Sequence, residues 1–200
     1  MTTGGRLWNR DFVLWWVGTA QSSLGTALSG IALSFLVLEQ TGSAGAMGVN
    51  LALSMLPGLL SPLAGTLVDR VPLRLPLVAG NAVRAALMLG VGLVALAGPV
   101  PLFALYGLSL LMGLIGVLYQ PASGALVPTL VPQEHLARAM GLITTAAQSM
   151  SLVGLLAGGV MVSRFGSAPS LVVDGVSFLV MTVLLPFVRM PARAASAARR

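Results

Sequence analysis

The chain alternates between long uncharged apolar runs and short breaks that carry arginine. Residues 12–38 and 40–68 contain no charge. A third run starts near Leu75, includes Arg84, and ends at Gly98-Pro99-Val100-Pro101, which reads as a short turn. A fourth extends from Leu102 to about Leu126, followed by a predicted loop, Val127–Arg138, holding Pro128 and Pro132. The fifth covers Ala139 to Val162, Arg164-Phe165-Gly166-Ser167-Ala168-Pro169 forms the next turn, and the sixth runs from about Ser170 to Val188. A bilayer core of ~30 Å is crossed by about 20 apolar residues in a helix. The pattern therefore predicts an all-α membrane domain of six spans over residues 12–188. A short amino-terminal segment, residues 1–11, precedes it, and a basic tail, residues 189–200, rich in Ala, Ser and Arg, is predicted to be disordered.

Composition agrees and removes other classes. The chain is 56% hydrophobic and only 8% charged, with a mean hydropathy of +0.95. Soluble domains carry roughly 25% charged residues. The net charge of +6 is not gathered into a stripe, so nucleic acid is not an expected partner and the lipid bilayer is. Cysteine is absent and histidine occurs once, as His135 beside Glu134. No metal-ligand spacing, phosphate loop or nucleophile–base set is present, so neither an enzyme nor a bound cofactor or metal is expected. If the amino terminus is cytoplasmic, Arg6, Arg10, Arg70, Arg74, Arg138, Arg189, Arg193, Arg199 and Arg200 all fall inside, and Arg164 alone falls outside. The positive-inside rule then puts both termini in the cytoplasm of a cell (plasma) membrane protein.

Within the spans, small and polar residues recur at helical spacing. The first has Thr19, Ser22, Thr26 and Ser29; the second Asn50, Ser54, Gly58, Ser61 and Gly65. The fourth has Ser109, Gly113, Gly116, Gln120 and Ser123, and the fifth Gly141, Thr144, Gln148 and Ser151. Spans three and six lack such a stripe, which suggests a cavity lined by four helices with two outside it. Ser22, Thr26, Asn50, Gln120 and Gln148 are the candidates for a substrate path. Small residues also mark close helix packing, the alternative reading for these faces and the one adopted for Gly154, Gly158 and Gly159. Pro57 and Pro62 should bend the second span and Pro121 the fourth. Arg84 and Asp174 are the two charges inside spans. Arg84 lies nine residues past Leu75 and could snorkel, pair between helices or meet substrate. Asp174, about one turn into the sixth run, reads first as an interfacial or packing residue.

The loop between spans two and three, Gly65-Thr-Leu-Val-Asp69-Arg70-Val-Pro72-Leu73-Arg74, resembles the signature Gly-x-x-x-Asp-Arg-x-Gly-Arg-Arg/Lys of the major facilitator superfamily. Gly65, Asp69, Arg70 and Arg74 match, whereas Pro72 and Leu73 depart. In that family the loop is a conformational latch that engages neighbouring helix ends. Tyr119-Gln120-Pro121-Ala122, the stretch Leu126 to Ala139 and Val173-Asp174-Gly175-Val176-Ser177-Phe178-Leu179 are similar to the drug and siderophore exporter branch. Gly141, Gly154, Gly158 and Gly159 match part of an antiporter glycine pattern, with Met150 and Leu155 standing where that pattern has Gly and Pro.

The resemblance implies one six-helix half of a twelve-helix fold whose substrate path lies between the halves. Its expected function is efflux of a small amphipathic molecule by alternating access, with a second six-helix half or a second copy as partner. The alternative is a non-transporting membrane module that assembles with itself or with a full-length transporter.

Overall fold

The computed structural model describes residues 7–68 and 70–188. Residues 1–6, Asp69 and the basic tail 189–200 lie outside the described residues. Six helices long and apolar enough to cross a membrane follow one another: α1 Arg10–Thr41, α2 Ala44–Val68, α3 Leu75–Ala97, α4 Leu102–Leu130, α5 Gln133–Phe165 and α6 Ser167–Phe187. No strand occurs among the described residues. The chain is a multi-pass membrane protein.

Local chemistry sets the ends. The Asn9 side chain accepts from the Phe12 amide at 2.9 Å and donates to the Leu130 carbonyl at 2.7 Å, so one residue caps α1 and ties it to the end of α4. Gly42 closes α1 at φ 64°, a left-handed cap that favours glycine, and Ser43 then caps α2. Pro57 removes a backbone donor from α2, and Leu56–Leu60 tightens into a 3₁₀ turn there. Pro121 leaves α4 uninterrupted.

Two boundaries differ from the sequence expectation. The loop expected over Val127–Arg138 is largely helical, with α4 running through Pro128 to Leu130 and α5 opening at Gln133. Pro128 lies in the last turn of α4, and the helix gives way to extended backbone at Val131. The turn expected over Arg164–Pro169 shrinks to Gly166, at φ 84°. Arg164 sits in the last turn of α5, where a cation suits the helix dipole, and Pro169 sits in the first turn of α6, where its missing N–H is no loss.

The helices pack through their glycines. A Cβ on Gly154 of α5 would collide with the Leu24 carbonyl oxygen of α1, and one on Gly158 would come within 3.1 Å of the Leu28 backbone. On α6 and α3, a Cβ at Gly175 would lie 2.8 Å from the Leu89 amide, and one at Gly92 2.8 Å from Val172. Gly113 brings α4 against the Ser54 carbonyl of α2. Close backbone approach supplies the dispersion contact that holds helices together where lipid removes the hydrophobic drive. Two apolar clusters form the core. One gathers Leu7, Phe12, Trp15, Leu77, Leu126, Leu185 and Val188, so the two ends of the described chain share one end of the bundle. The other gathers Leu33, Val37, Met88, Leu105, Leu171 and Phe178 towards the opposite end.

Candidate functional site

Between these clusters, α1 and α3 change character. Gly18, Gln21, Ser22, Gly25 and Ser29 occupy the inner face of α1, and Asn81 and Arg84 that of α3. They meet Ser170, Asp174 and Ser177, which recur at four and three residues along α6 and are all buried. Asp174 is 0% exposed and packs against Gly25, whose missing side chain makes the space for the carboxylate. Neither carboxylate oxygen has a hydrogen-bond partner among the described residues. Ser29, nearby on α1, donates instead to the Thr26 carbonyl at 3.1 Å, while Gln21 donates to the Ser177 hydroxyl at 2.7 Å.

Arg84 projects from α3 between α4 and α6. Its guanidinium carbon stands 4.8 Å from the Tyr119 ring centroid and 5.4 Å from that of Phe178, and its Nη2 lies beside Gly116. Two aromatic faces thus receive the cation, with Nε left unpaired. Asn81, one turn earlier, donates to the Leu77 carbonyl at 2.7 Å. Arg84 is therefore held between helices and does not run along the lipid face. Asp174 lies two turns, not one, into its helix, because α6 starts at Ser167.

The path candidates divide into two groups. Asn50 is 3% exposed and accepts a 2.7 Å hydrogen bond from Ser109, inside the α2–α4 contact. Ser22 is buried as well. Thr26, Gln120 and Gln148 are exposed, and none of their side chains makes a hydrogen bond to another described residue. Most other large exposed side chains of the spans are apolar, Leu59, Phe103 and Leu156 among them. Gly154 and Gly158 lie in the α1–α5 contact, while Gly159 faces open space.

At the α2–α3 loop, Gly65 is half-buried with nothing within 4 Å of a would-be Cβ, and Arg70 and Arg74 are exposed. Arg74 Nη2 donates to the Pro186 carbonyl at 3.1 Å, capping the last turn of α6. Asp69, the carboxylate of the expected latch, lies outside the described residues. The Major Facilitator Superfamily family model matches residues 15–200, almost the whole of this six-helix array. The chain belongs to the Major Facilitator Superfamily.

Curated relatives of this superfamily member include Macrolide efflux protein A of Streptococcus pyogenes, 25% identical over 186 residues, covering 92% of this chain and 46% of that protein. Multidrug resistance protein MdtG of Escherichia coli is 29% identical over 187 residues, covering 89% of this chain and 42% of that protein. The chain thus spans less than half the length of these relatives. No solved structure is a significant match.

For a chain of this superfamily, the polar line along α6 is the feature that sequence reasoning missed. Its signal was available: Ser167, Ser170, Asp174 and Ser177 repeat at three and four residues. The expectation that spans three and six lack polar faces fails for α6, whose polar residues are turned inward against α1. Tyr119 and Gln21 join the layer through contacts that spacing within one helix does not reveal.

Proposed function

We propose that this chain is one half of an efflux transporter of the plasma membrane, with both termini cytoplasmic. It exports a small amphipathic compound by alternating access together with a second six-helix half or a second copy. The observation that carries this reading is the exposure of Thr26, Gln120 and Gln148 without side-chain partners among the described residues. An amide facing hydrocarbon costs several kcal/mol, of order 2–7 without a compensating bond. A wet path between two halves relieves that cost. The efflux and multidrug-resistance names of the relatives support the direction and the class of cargo, and the arginines gathered at the termini's end of the bundle support the orientation.

Gly65, Asp69, Arg70 and Arg74 form the latch in this reading. Arg74 on the Pro186 carbonyl supports it, because that bond links the loop to the end of a distant helix. The test is dye export from cells carrying the chain with its second half supplied. Replacing Thr26, Gln120 and Gln148 together by Leu abolishes export and leaves membrane insertion intact. Asp69→Asn does the same by freeing the latch. Wild-type export in the triple variant ends the path assignment, and wild-type export in Asp69→Asn ends the latch.

A further inference from the structure

Away from the polar layer, the end of α2, the α2–α3 loop, the start of α3 and the flank of α4 enclose a groove of about 350 Å³. Val68, Val71, Leu75, Pro76, Val83 and Ile115 are among its walls, and every residue lining it is apolar. Small-molecule sites of this size ordinarily add a few polar groups that orient the ligand. This one has none, so it selects an alkyl chain and not a heteroatom-bearing cargo. Leu75 and Val83 are also exposed, so the groove opens sideways on the surface a bilayer covers.

Two further observations fix the occupant. Leu75–Ala79 is a π-helical turn, a widened form that recurs at functional sites, and Leu75, Pro76 and Ala79 of that turn line the groove. Arg70 sits in the loop between the lining residues Val68 and Val71, exposed, with no hydrogen bond or ion pair to another described residue. Asp69, Arg70 and Arg74 leave this short loop with one net positive charge. Arg74 is turned towards Pro186, so Arg70 is the cation at the mouth. A guanidinium matches phosphate oxygens bidentately, and basic pockets between membrane helices take anionic headgroups.

We propose that the groove is a binding site for one anionic phospholipid, its acyl chain along the π-turn and its phosphate on Arg70. The site is separate from the exposed polar face; it shares Arg70 with the loop read above as the latch, and its lipid readout does not depend on transport. The full chain is reconstituted in nanodiscs of phosphatidylglycerol or phosphatidylcholine, each doped with an analogue bearing an acyl-chain diazirine, and crosslinks are mapped by peptide mass spectrometry. Label is expected to concentrate on residues 67–83 and 115–118, about five-fold more from phosphatidylglycerol, as one arginine at a charged headgroup predicts. Arg70→Gln levels the two lipids, and Ala79→Phe fills the groove and removes the focus. Arg70→Gln, an exposed substitution, carries the test if Ala79→Phe fails to fold. Label spread evenly over the helices overturns the site. Equal labelling by both lipids in the unaltered chain, or selectivity that survives Arg70→Gln, overturns the headgroup assignment and with it the proposal.

Discussion

Three glycines of α5 that look equivalent in the sequence should respond differently to a single methyl group. At Gly154 the new Cβ would meet the Leu24 carbonyl oxygen at less than contact distance and the Ala27 Cβ at 3.0 Å. A backbone oxygen cannot rotate aside, so α1 and α5 must part. At Gly158 the nearest atoms are the Leu28 Cα and carbonyl oxygen, both at 3.1 Å, tight but less severe. At Gly159 no atom lies within 4 Å. Replacing Gly by Ala also improves helix propensity by about 1 kcal/mol at each position, a gain that cancels when the variants are compared. What remains is overpacking, typically about 1–3 kcal/mol, or about 5- to 150-fold in the folding equilibrium. Gly154→Ala should therefore lose about that much relative to Gly159→Ala, with Gly158→Ala between them. Steric trapping of the folded state in bicelles reads these differences directly. Equal stability of Gly154→Ala and Gly159→Ala would refute the α1–α5 packing and the level at which the two helices cross.

Other consequences can be checked in the same preparation. Ser109→Ala removes the bond to Asn50 and should cost about 0.6 kcal/mol, up to about 1.7; a double-mutant cycle with Asn50→Leu should recover a coupling of that size. Tyr119→Leu removes one of the two rings facing Arg84, and a cycle with Arg84→Met should show a coupling of about 0.5–2 kcal/mol, whereas Tyr119→Phe keeps the ring and should show almost none. Trp16→Phe deletes the 3.0 Å bond from the indole Nε1 to the Leu142 carbonyl and should lower stability by about 0.5–1.5 kcal/mol in thermal unfolding. Arg74→Gln frees the Pro186 carbonyl, so hydrogen exchange should quicken in the last turn of α6 while α3 keeps its protection.

The number of helices and the membrane fold were legible because lipid enforces them: a helix satisfies its own backbone there, and each spanning helix needs a long apolar run. The ends were less legible. Pro128 and Pro169 look like breakers in a string of letters, yet α4 runs two residues past Pro128 before it ends, and Pro169 sits in a first turn, where a helix spares the lost donor. The inward faces were the least legible. Asn50 and Gln148 are similar amides on stripes of similar spacing, but one finds Ser109 across a helix contact and the other finds nothing. That outcome depends on which neighbour lies opposite, information that no single helix contains. Asp174 was misplaced for a smaller reason, since shifting the start of α6 by three residues moves it a turn deeper.

The polar line of α6 also bears on the order of assembly. Ser170, Asp174 and Ser177 are matched by Gln21 and Gly25, about 150 residues earlier in the chain. Of the six helices, α6 is made last, and alone in lipid it would expose a carboxylate, so it gains its stable setting only by docking onto a helix inserted long before. Until then α1 keeps an open groove of glycines, and α3 lacks the helix that Gly92 and Gly175 bring against it. Bundle closure is therefore a late, long-range step, and a nascent chain stalled before Ser167 holds five inserted helices and an unfinished core.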